Sequence, residues 1–250
     1  MIVIAANGET PEGEALEAIR RAECVIACDG AYARLKALGI EPDWVVGDCD
    51  SISEEDRAAL GSRLVRVDEQ ETNDLEKAFR FACEGRADDR MRRSRGERPT
   101  LLAHGIETGG TRSCASATTL AHGIETGGSR SCVSAKIVIV GAGGGREDHL
   151  IGNVFRLLDF AKRVPEVAML TNAGRFDVVK GERTFECAPG QAVSVFAPIP
   201  GTKVESEGLE WPLGGVDLSR LWSGTLNRTS AREFSIRSSA PVLVYTGRGI

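Results

Sequence analysis

Short apolar runs alternate with amphipathic stretches along most of the chain, and each run stops at a break rich in Gly and Asp. Residues 2–6 (Ile-Val-Ile-Ala-Ala) lead to Asn7-Gly8, Cys24-Val25-Ile26-Ala27 leads to Asp29-Gly30, and Trp44-Val45-Val46 leads to Gly47-Asp48-Cys49-Asp50-Ser51. Leu64-Val65-Arg66-Val67 runs through Asp68 to Thr72-Asn73-Asp74, and Ile137-Val138-Ile139-Val140 runs into Gly141-Ala142-Gly143-Gly144-Gly145-Arg146-Glu147-Asp148-His149. Such runs, bounded by turn residues, predict buried strands. Between them, Ala15, Leu16, Ile19 and Ala22 recur at helical spacing, as do Leu75, Ala78, Phe79 and Ala82. Leu35 and Leu38 mark a short helix, and Ser53-Glu54-Glu55-Asp56 fits a capping box opening a helix to about Leu60. The longest stripe is Leu150, Ile151, Val154, Leu157, Leu158 and Ala161, and Val167-Ala168-Met169-Leu170 predicts another strand. Repeated βα units imply right-handed crossovers and a mostly parallel sheet. All the acids and glycines named above then gather at the carboxyl ends of the strands, the edge where open α/β sheets bind ligands.

The texture changes after about residue 174. Phe176–Val179, Thr184–Cys187, Ala192–Ala197, Phe234–Ile236 and Val242–Tyr245 are short, often alternating runs, and turns such as Pro189-Gly190 and Pro200-Gly201 separate them. The pattern predicts an α/β fold in two parts. A Rossmann-like, mostly parallel sheet domain occupies residues 1–170, and an all-β sandwich domain occupies 171–250.

An insertion interrupts the first part at about 85–135. Residues 102–117 and 120–135 are near-copies that differ only at Thr111/Ser129 and Ala115/Val133, and an Arg-rich stretch from Arg86 to Arg98 precedes them. Two copies are too few for a solenoid. His104, Cys114, His122 and Cys132 form a nominal zinc set, but duplication produces that set automatically and the spacing is not that of a zinc finger. The insertion is expected to be a surface loop, which costs little in chain entropy.

Composition narrows the partners. A net charge of −5 excludes a nucleic-acid partner held by bulk electrostatics. Apolar runs are too short to cross a membrane, and residues 1–6 are too short and lack the basic start of a signal peptide. Seven cysteines, without a C-x-x-C pair, are expected to be free thiols in a cytoplasmic protein.

Asp48 and Asp50 stand two apart at a strand end, where their side chains could point the same way. With Asp74 they offer oxygen ligands of the kind Mg²⁺ takes; alternatively, the pair shapes the turn before the Ser53 helix. Gly141–Arg146 is neither a P-loop nor a good dinucleotide fingerprint, yet a Gly-rich turn opening a helix presents N–H groups to an anion, and Arg146 adds a bidentate contact. The plainer reading is a tight turn with Asp148 as N-cap. Lys77, three residues after Asp74, shares its helical face and is either a phosphate contact or part of a surface ion pair. His149 orients a neighbour or caps the helix. Trp211, on a loop bounded by Gly208 and Pro212, is either core or a stacking platform for a planar ligand.

Taken in order, Asp29-Gly30, Gly47-Asp48-x-Asp50-Ser51, Gln70-x-x-Asn73-Asp74-x-x-Lys77, Gly144-Gly145-Arg146-x-Asp148-His149 and Gly208-Leu209-x-Trp211-Pro212-Leu213 resemble the thiamin pyrophosphokinases, across nearly everything outside the insertion. The resemblance implies transfer of a pyrophosphoryl group from ATP to the hydroxyl of thiamin, with Mg²⁺. It further implies a homodimer with thiamin held between the catalytic domain of one subunit and the β domain of the other. It makes Asp29, Asp48, Asp50 and Asp74 the metal and diphosphate site, with Asp48, Asp50 and Asp74 as metal ligands. Gln70, Asn73, Lys77, Arg146, Asp148 and His149 become nucleotide and phosphate contacts, and Trp211, Thr229 and Ser230 thiamin contacts. This chain departs from the family pattern at Ala231, where the late motif carries Asn, and at Ala31-Tyr32-Ala33, where the family has Gly-Ala-Asn. Two other readings stand beside this one: a D-x-D glycosyltransferase, which leaves Gly144–His149 and the β part unexplained, and a sensor that binds without turnover.

Overall fold

The computed structural model describes residues 1–84 and 136–248; the insertion, with its His104, Cys114, His122 and Cys132, lies outside the described residues. Strands β1 (Ile2–Ala5), β2 (Cys24–Cys28), β3 (Trp44–Gly47), β4 (Leu64–Arg66), β5 (Lys136–Val140) and β6 (Glu166–Leu170) form the parallel part of the sheet, in the order β6-β5-β1-β2-β3-β4. β1 pairs in parallel with both β2 and β5, Ile2 facing Cys24 on one side and Ile137 on the other. The chain thus leaves β1 in one direction and returns on its other side at β5. That reversal opens a crevice above the carboxyl ends of β1 and β5.

Helices α1 (Gly13–Arg20), α2 (Tyr32–Ala37), α3 (Glu54–Leu60), α4 (Asp74–Cys83) and α5 (Glu147–Phe160) connect the strands. Ser53 caps α3 by accepting the Asp56 N–H at 3.1 Å, and Asn73 caps α4 by accepting the Glu76 N–H at 3.0 Å. Each such cap stabilises by about 1 kcal/mol. The predicted stripe of α4 is buried in full, and Phe79 stacks on Phe160 of α5 at 3.8 Å between ring centroids. Glu76, almost buried, accepts from Arg80 at 3.0 Å and from Arg156 of α5 at 2.7 Å, adding charge to the α4–α5 contact. Two members of the predicted stripes belong elsewhere: Ile151 is 57% exposed, and Leu38 follows the end of α2 at the surface.

The C-terminal part is an antiparallel β region whose sheet is continuous with the parallel one. β7 (Gly174–Glu186) pairs with β6 on one edge and with β11 (Glu233–Gly247) on the other, while β8 (Ala192–Phe196), β9 (Val204–Glu207) and β10 (Asn227–Arg228) complete the region. The runs at 176–179 and 184–187, expected as separate strands, are one strand of 13 residues that continues through Gly181 at φ +80°. Those at 234–236 and 242–245 are likewise one strand of 15 residues, with a bulge between Ser238 and Val242 around Pro241. Bulge and glycine lie opposite each other and bend the ribbon there. β11 then pairs with β9 before the bulge and with β8 after it. Alternation along the first arm serves two cores: Phe176, Val178 and Leu243 face the α/β half, while Val179, Val242 and Val244 face the core of the β region.

Candidate active site

A cavity of about 380 Å³ opens at the strand reversal, over the carboxyl ends of β1, β2 and β3. Asn7 and Gly8 follow β1, Cys28 ends β2, and Asp48 follows β3. Gln70, Thr72, Asn73, Asp74 and Lys77 come from the end of β4 and the first turns of α4, and Gly145, Arg146, His149 and Asn153 from the Gly-rich turn and α5. Glycines permit the close approach of the two loops at its floor. The Gly8 N–H donates to the Gly141 carbonyl at 2.7 Å, and a Cβ on Gly8 would come within 2.3 Å of the Gly143 carbonyl oxygen. Gly141 itself has φ +67°, a left-handed turn that favours glycine.

The acids occupy different depths. Asp29 is buried behind the cavity wall and accepts the Gly30 N–H at 2.5 Å and the Cys49 N–H at 3.1 Å. A Cβ on Gly47 would meet the Asp29 side chain at 2.9 Å, so glycine at that position makes room for the acid. Burial, followed by the charge of Asp74, raises the Asp29 pKa. Its neighbour Asp48 is held below the ordinary carboxylate range: burial pushes it up, but the Asp50 N–H, a hydrogen bond with Asp29 and the charge of Lys77 together outweigh burial. The two acids are thus shifted in opposite directions, Asp29 up by burial and Asp48 down by the groups that face it. Lys77, only 4% exposed, lies 3.2 Å from Asp74. It is a buried cation among Asp48 and Asp74, not half of a surface pair. Burial also raises both nearby thiols, Cys49 to about 11 and Cys28 further, so neither is a nucleophile at neutral pH.

Asp50 departs from the expected geometry. Cys49 adopts φ 68°, which ends the strand alternation, and Asp50 is exposed and outside the cavity lining. It is tied to Asp48 by its N–H at 3.3 Å. Among the described residues no three His, Cys, Asp or Glu side chains are grouped closely enough to hold a metal alone. Asp48 and Asp74 do both line the cavity, and one or two carboxylates completed by substrate phosphates is the donor set Mg²⁺ usually takes. The residues fit that ion.

On the opposite wall Arg146 is the N-cap position of α5 without a side-chain cap, so Asp148 is not the cap expected of it. Instead Asp148 accepts from Arg146 at 2.6 and 3.1 Å and orients the guanidinium. Asn73 combines its capping role with a donor bond to Asn153 at 3.2 Å, joining α4 to α5 across the cavity. Asn7, Thr72 and Asn153 were not anticipated from sequence. Asn153 was within reach of it, because it stands four residues after His149 on the same helical face.

The remaining expected residues stand in the β region. Trp211 is 53% exposed; its N–H donates to the Asn227 side chain at 3.2 Å and its carbonyl accepts from it at 2.6 Å, which fixes the loop beneath the ring. Thr229 is buried, with its hydroxyl engaged by the Ala188 carbonyl at 2.6 Å and the Gln191 N–H at 3.0 Å. That hydroxyl holds the 188–191 turn, whereas Ser230 is exposed.

Two family models match the chain: the catalytic domain of thiamin pyrophosphokinase over residues 15–169, and the substrate-binding domain of thiamin pyrophosphokinase over residues 174–245. Among curated proteins none matches. Among solved structures the fold is similar to a thiamin pyrophosphokinase family protein from Enterococcus faecalis (TM-score 0.68, 14% identity, covering 100% of this chain and 99% of that one). It is similar also to thiamine pyrophosphokinase from Bacillus subtilis (0.65, 18%, 100% and 99%) and thiamin pyrophosphokinase from Candida albicans (0.66, 15%, 98% and 88%).

Proposed function

The chain belongs to the thiamin pyrophosphokinase family and has that activity by family membership, and on that premise we propose how its residues carry the reaction. ATP is the donor, and the thiamin hydroxyl attacks its β-phosphorus in line, releasing AMP. The observation that carries this reading is the convergence of Asp48, Asp74, Lys77 and Arg146 on one cavity at the strand reversal. Transfers of this kind need positioning and charge neutralisation more than covalent chemistry. Asp48 and Asp74 would hold Mg²⁺, with Asp50 free to turn its exposed carboxylate to the same ion; when bound, the ion neutralises phosphate oxygens. Asp29 braces the Cys49 turn by accepting the Cys49 N–H. Lys77 and Arg146 offset charge that develops on the transferred group, and the N–H groups at the start of α5 add to them. Gln70, Asn73 and His149 line the same cavity and contact the nucleotide, and Asp148 aims Arg146.

Thiamin is a planar aromatic cation, and Trp211 presents an exposed indole on a loop fixed by Asn227, the surface on which such a ring stacks. The Ser230 N–H donates to the Gly208 carbonyl at 2.9 Å, which sets Ser230 beside the Trp211 loop as a polar contact, and Thr229 supports that contact through the 188–191 turn. We place the catalytic part at residues 1–170 and the thiamin-binding part at 171–250, working as a homodimer in the cytoplasm. Among the described residues no helix is long and apolar enough to cross a membrane, and no disulfide joins the cysteines.

Incubation with ATP, Mg²⁺ and thiamin, followed by chromatography, tests the reading. Thiamin diphosphate and AMP in equal amounts are expected. ADP with thiamin monophosphate would overturn the assigned point of attack, and binding of thiamin without any product would replace the enzyme with a sensor.

A further inference from the structure

The bend of the β7–β11 ribbon is locked by an ion pair that the reaction scheme does not use. Asp177 is fully buried, 0% exposed, on the face of β7 that looks toward the core of the β region. Arg175, two residues earlier on the same face, binds it through two nitrogens at 2.6 and 2.8 Å. Arg183 reaches it at 3.2 Å from the far side of Gly181. Six residues of straight strand span about 20 Å, far beyond the reach of one arginine. The contact exists only because the ribbon folds at Gly181 and at the bulge opposite it. Arg183 also lies 3.9 Å from Glu166 on β6, and Glu166 in turn pairs with Lys136 on β5 at 2.6 Å. One guanidinium on the second arm is thereby tied to both the first arm and the parallel sheet. Lys136, Arg175, Asp177 and Arg183 line a cavity of about 510 Å³ in the crook of the bend.

We propose that Arg183 is a positioning residue: by pairing with Asp177 across the bend it sets the angle at which the β region is carried on the α/β half, and so the alignment of the thiamin hydroxyl with the phosphate site. The proposal rests on the function assigned above, with phosphates bound in one half and thiamin by the other. Carried on a misaligned β region, thiamin binds and reacts poorly while ATP binding, confined to the α/β half, is untouched. Arg183 is the informative residue to remove, because Asp177 keeps both bonds from Arg175 and is not left as an orphaned buried charge.

The test compares Arg183→Ala, Arg183→Lys and the full wild-type chain by steady-state kinetics and by small-angle scattering without ligands. Glu182→Ala serves as control, since it breaks the exposed Glu182–Arg237 pair between β7 and β11, which does not span the bend. Arg183→Ala is expected to lower kcat/KM for thiamin on the order of 10- to 100-fold. The KM for ATP stays within about twofold, and the scattering curve shows a wider spread of interatomic distances. Arg183→Lys, which keeps the charge, restores part of both. Thiamin kinetics and scattering equal to those of Glu182→Ala would overturn the proposal, as would parallel loss of ATP and thiamin binding. If the wild-type chain makes no product, the assigned reaction fails and scattering alone decides: an altered curve in Arg183→Ala supports the brace and an unaltered one removes it.

Discussion

The two halves of this chain present their chemistry in opposite ways. In the α/β half, charged side chains converge because strand ends and helix starts converge: Asp48, Arg146 and the α4 pair Asp74 and Lys77 come from three separate segments yet line one cavity. Lys77 is deeply set, 4% exposed, and Asp29 is buried behind the wall. In the β region, Trp211 and Ser230 stand on exposed loops, and Thr229 is committed to holding a turn. The first kind of site is preorganised by the sheet, so its contribution belongs to the chemical step. The second is an open surface, so its contribution belongs to binding.

Substitutions that separate chemistry from binding put this contrast at risk. The largest effect is expected from Asp48→Ala, a fall in kcat on the order of 10³-fold with the KM for thiamin little changed. Thiamin binding lost in step with kcat, measured by initial rates and by calorimetry, would erase the division between the halves. Next is Glu76→Ala, which leaves Arg80 and Arg156 without their shared partner at the α4–α5 contact. A loss of about 1.5 kcal/mol in urea unfolding is expected, since the arginines left behind are partly exposed, with both KM values held because the pair braces the cavity wall from outside it. Trp211→Ala should raise the KM for thiamin about tenfold, the size of a lost stacking contact, while the KM for ATP and the unfolding midpoint hold. An equal change in the KM for ATP would show that the β region does more than bind thiamin.

The smallest effect is a pH dependence confined to the α/β half. The raised pKa of Asp29 means that its contribution to stability is present at low pH and is lost as pH rises through the folded value. The depressed pKa of Asp48 acts in the other direction: its contribution is present above the unfolded value and is lost as pH falls through the folded one. Together the pair stabilises the unliganded protein most between the two. Asp29→Asn, which cannot ionise, should flatten the alkaline side of that curve in unfolding measured across pH. An unchanged alkaline slope would assign it to other groups.

The order of the strands' neighbours, by contrast, could be read only in part. Apolar runs ending in Gly/Asp breaks are local signals, so β1 to β6 and the cap at Ser53 stand where the pattern puts them. The bends of β7 and β11 were illegible because Gly181 and Ser239-Ala240-Pro241 interrupt the pattern in the way a loop does. Whether pairing continues across such an interruption depends on the partner strand, not on the residues in it. Asp50 is a similar case: alternation predicts its direction only while the strand lasts, and the left-handed Cys49 ends it.

The sequence alone determined the residue types at the strand ends, the alternation of strand and helix, and through their motifs the family. Those are properties of neighbouring residues, written in periods of about two and 3.6. The tertiary structure decided how deep each charge lies, and with it the opposite pKa shifts of Asp29 and Asp48 and the burial of Lys77. It also decided that one bent ribbon serves two cores and that Asp177 and Arg183 meet. Burial and long-range contact depend on what packs from elsewhere in the chain, and no local pattern carries that information.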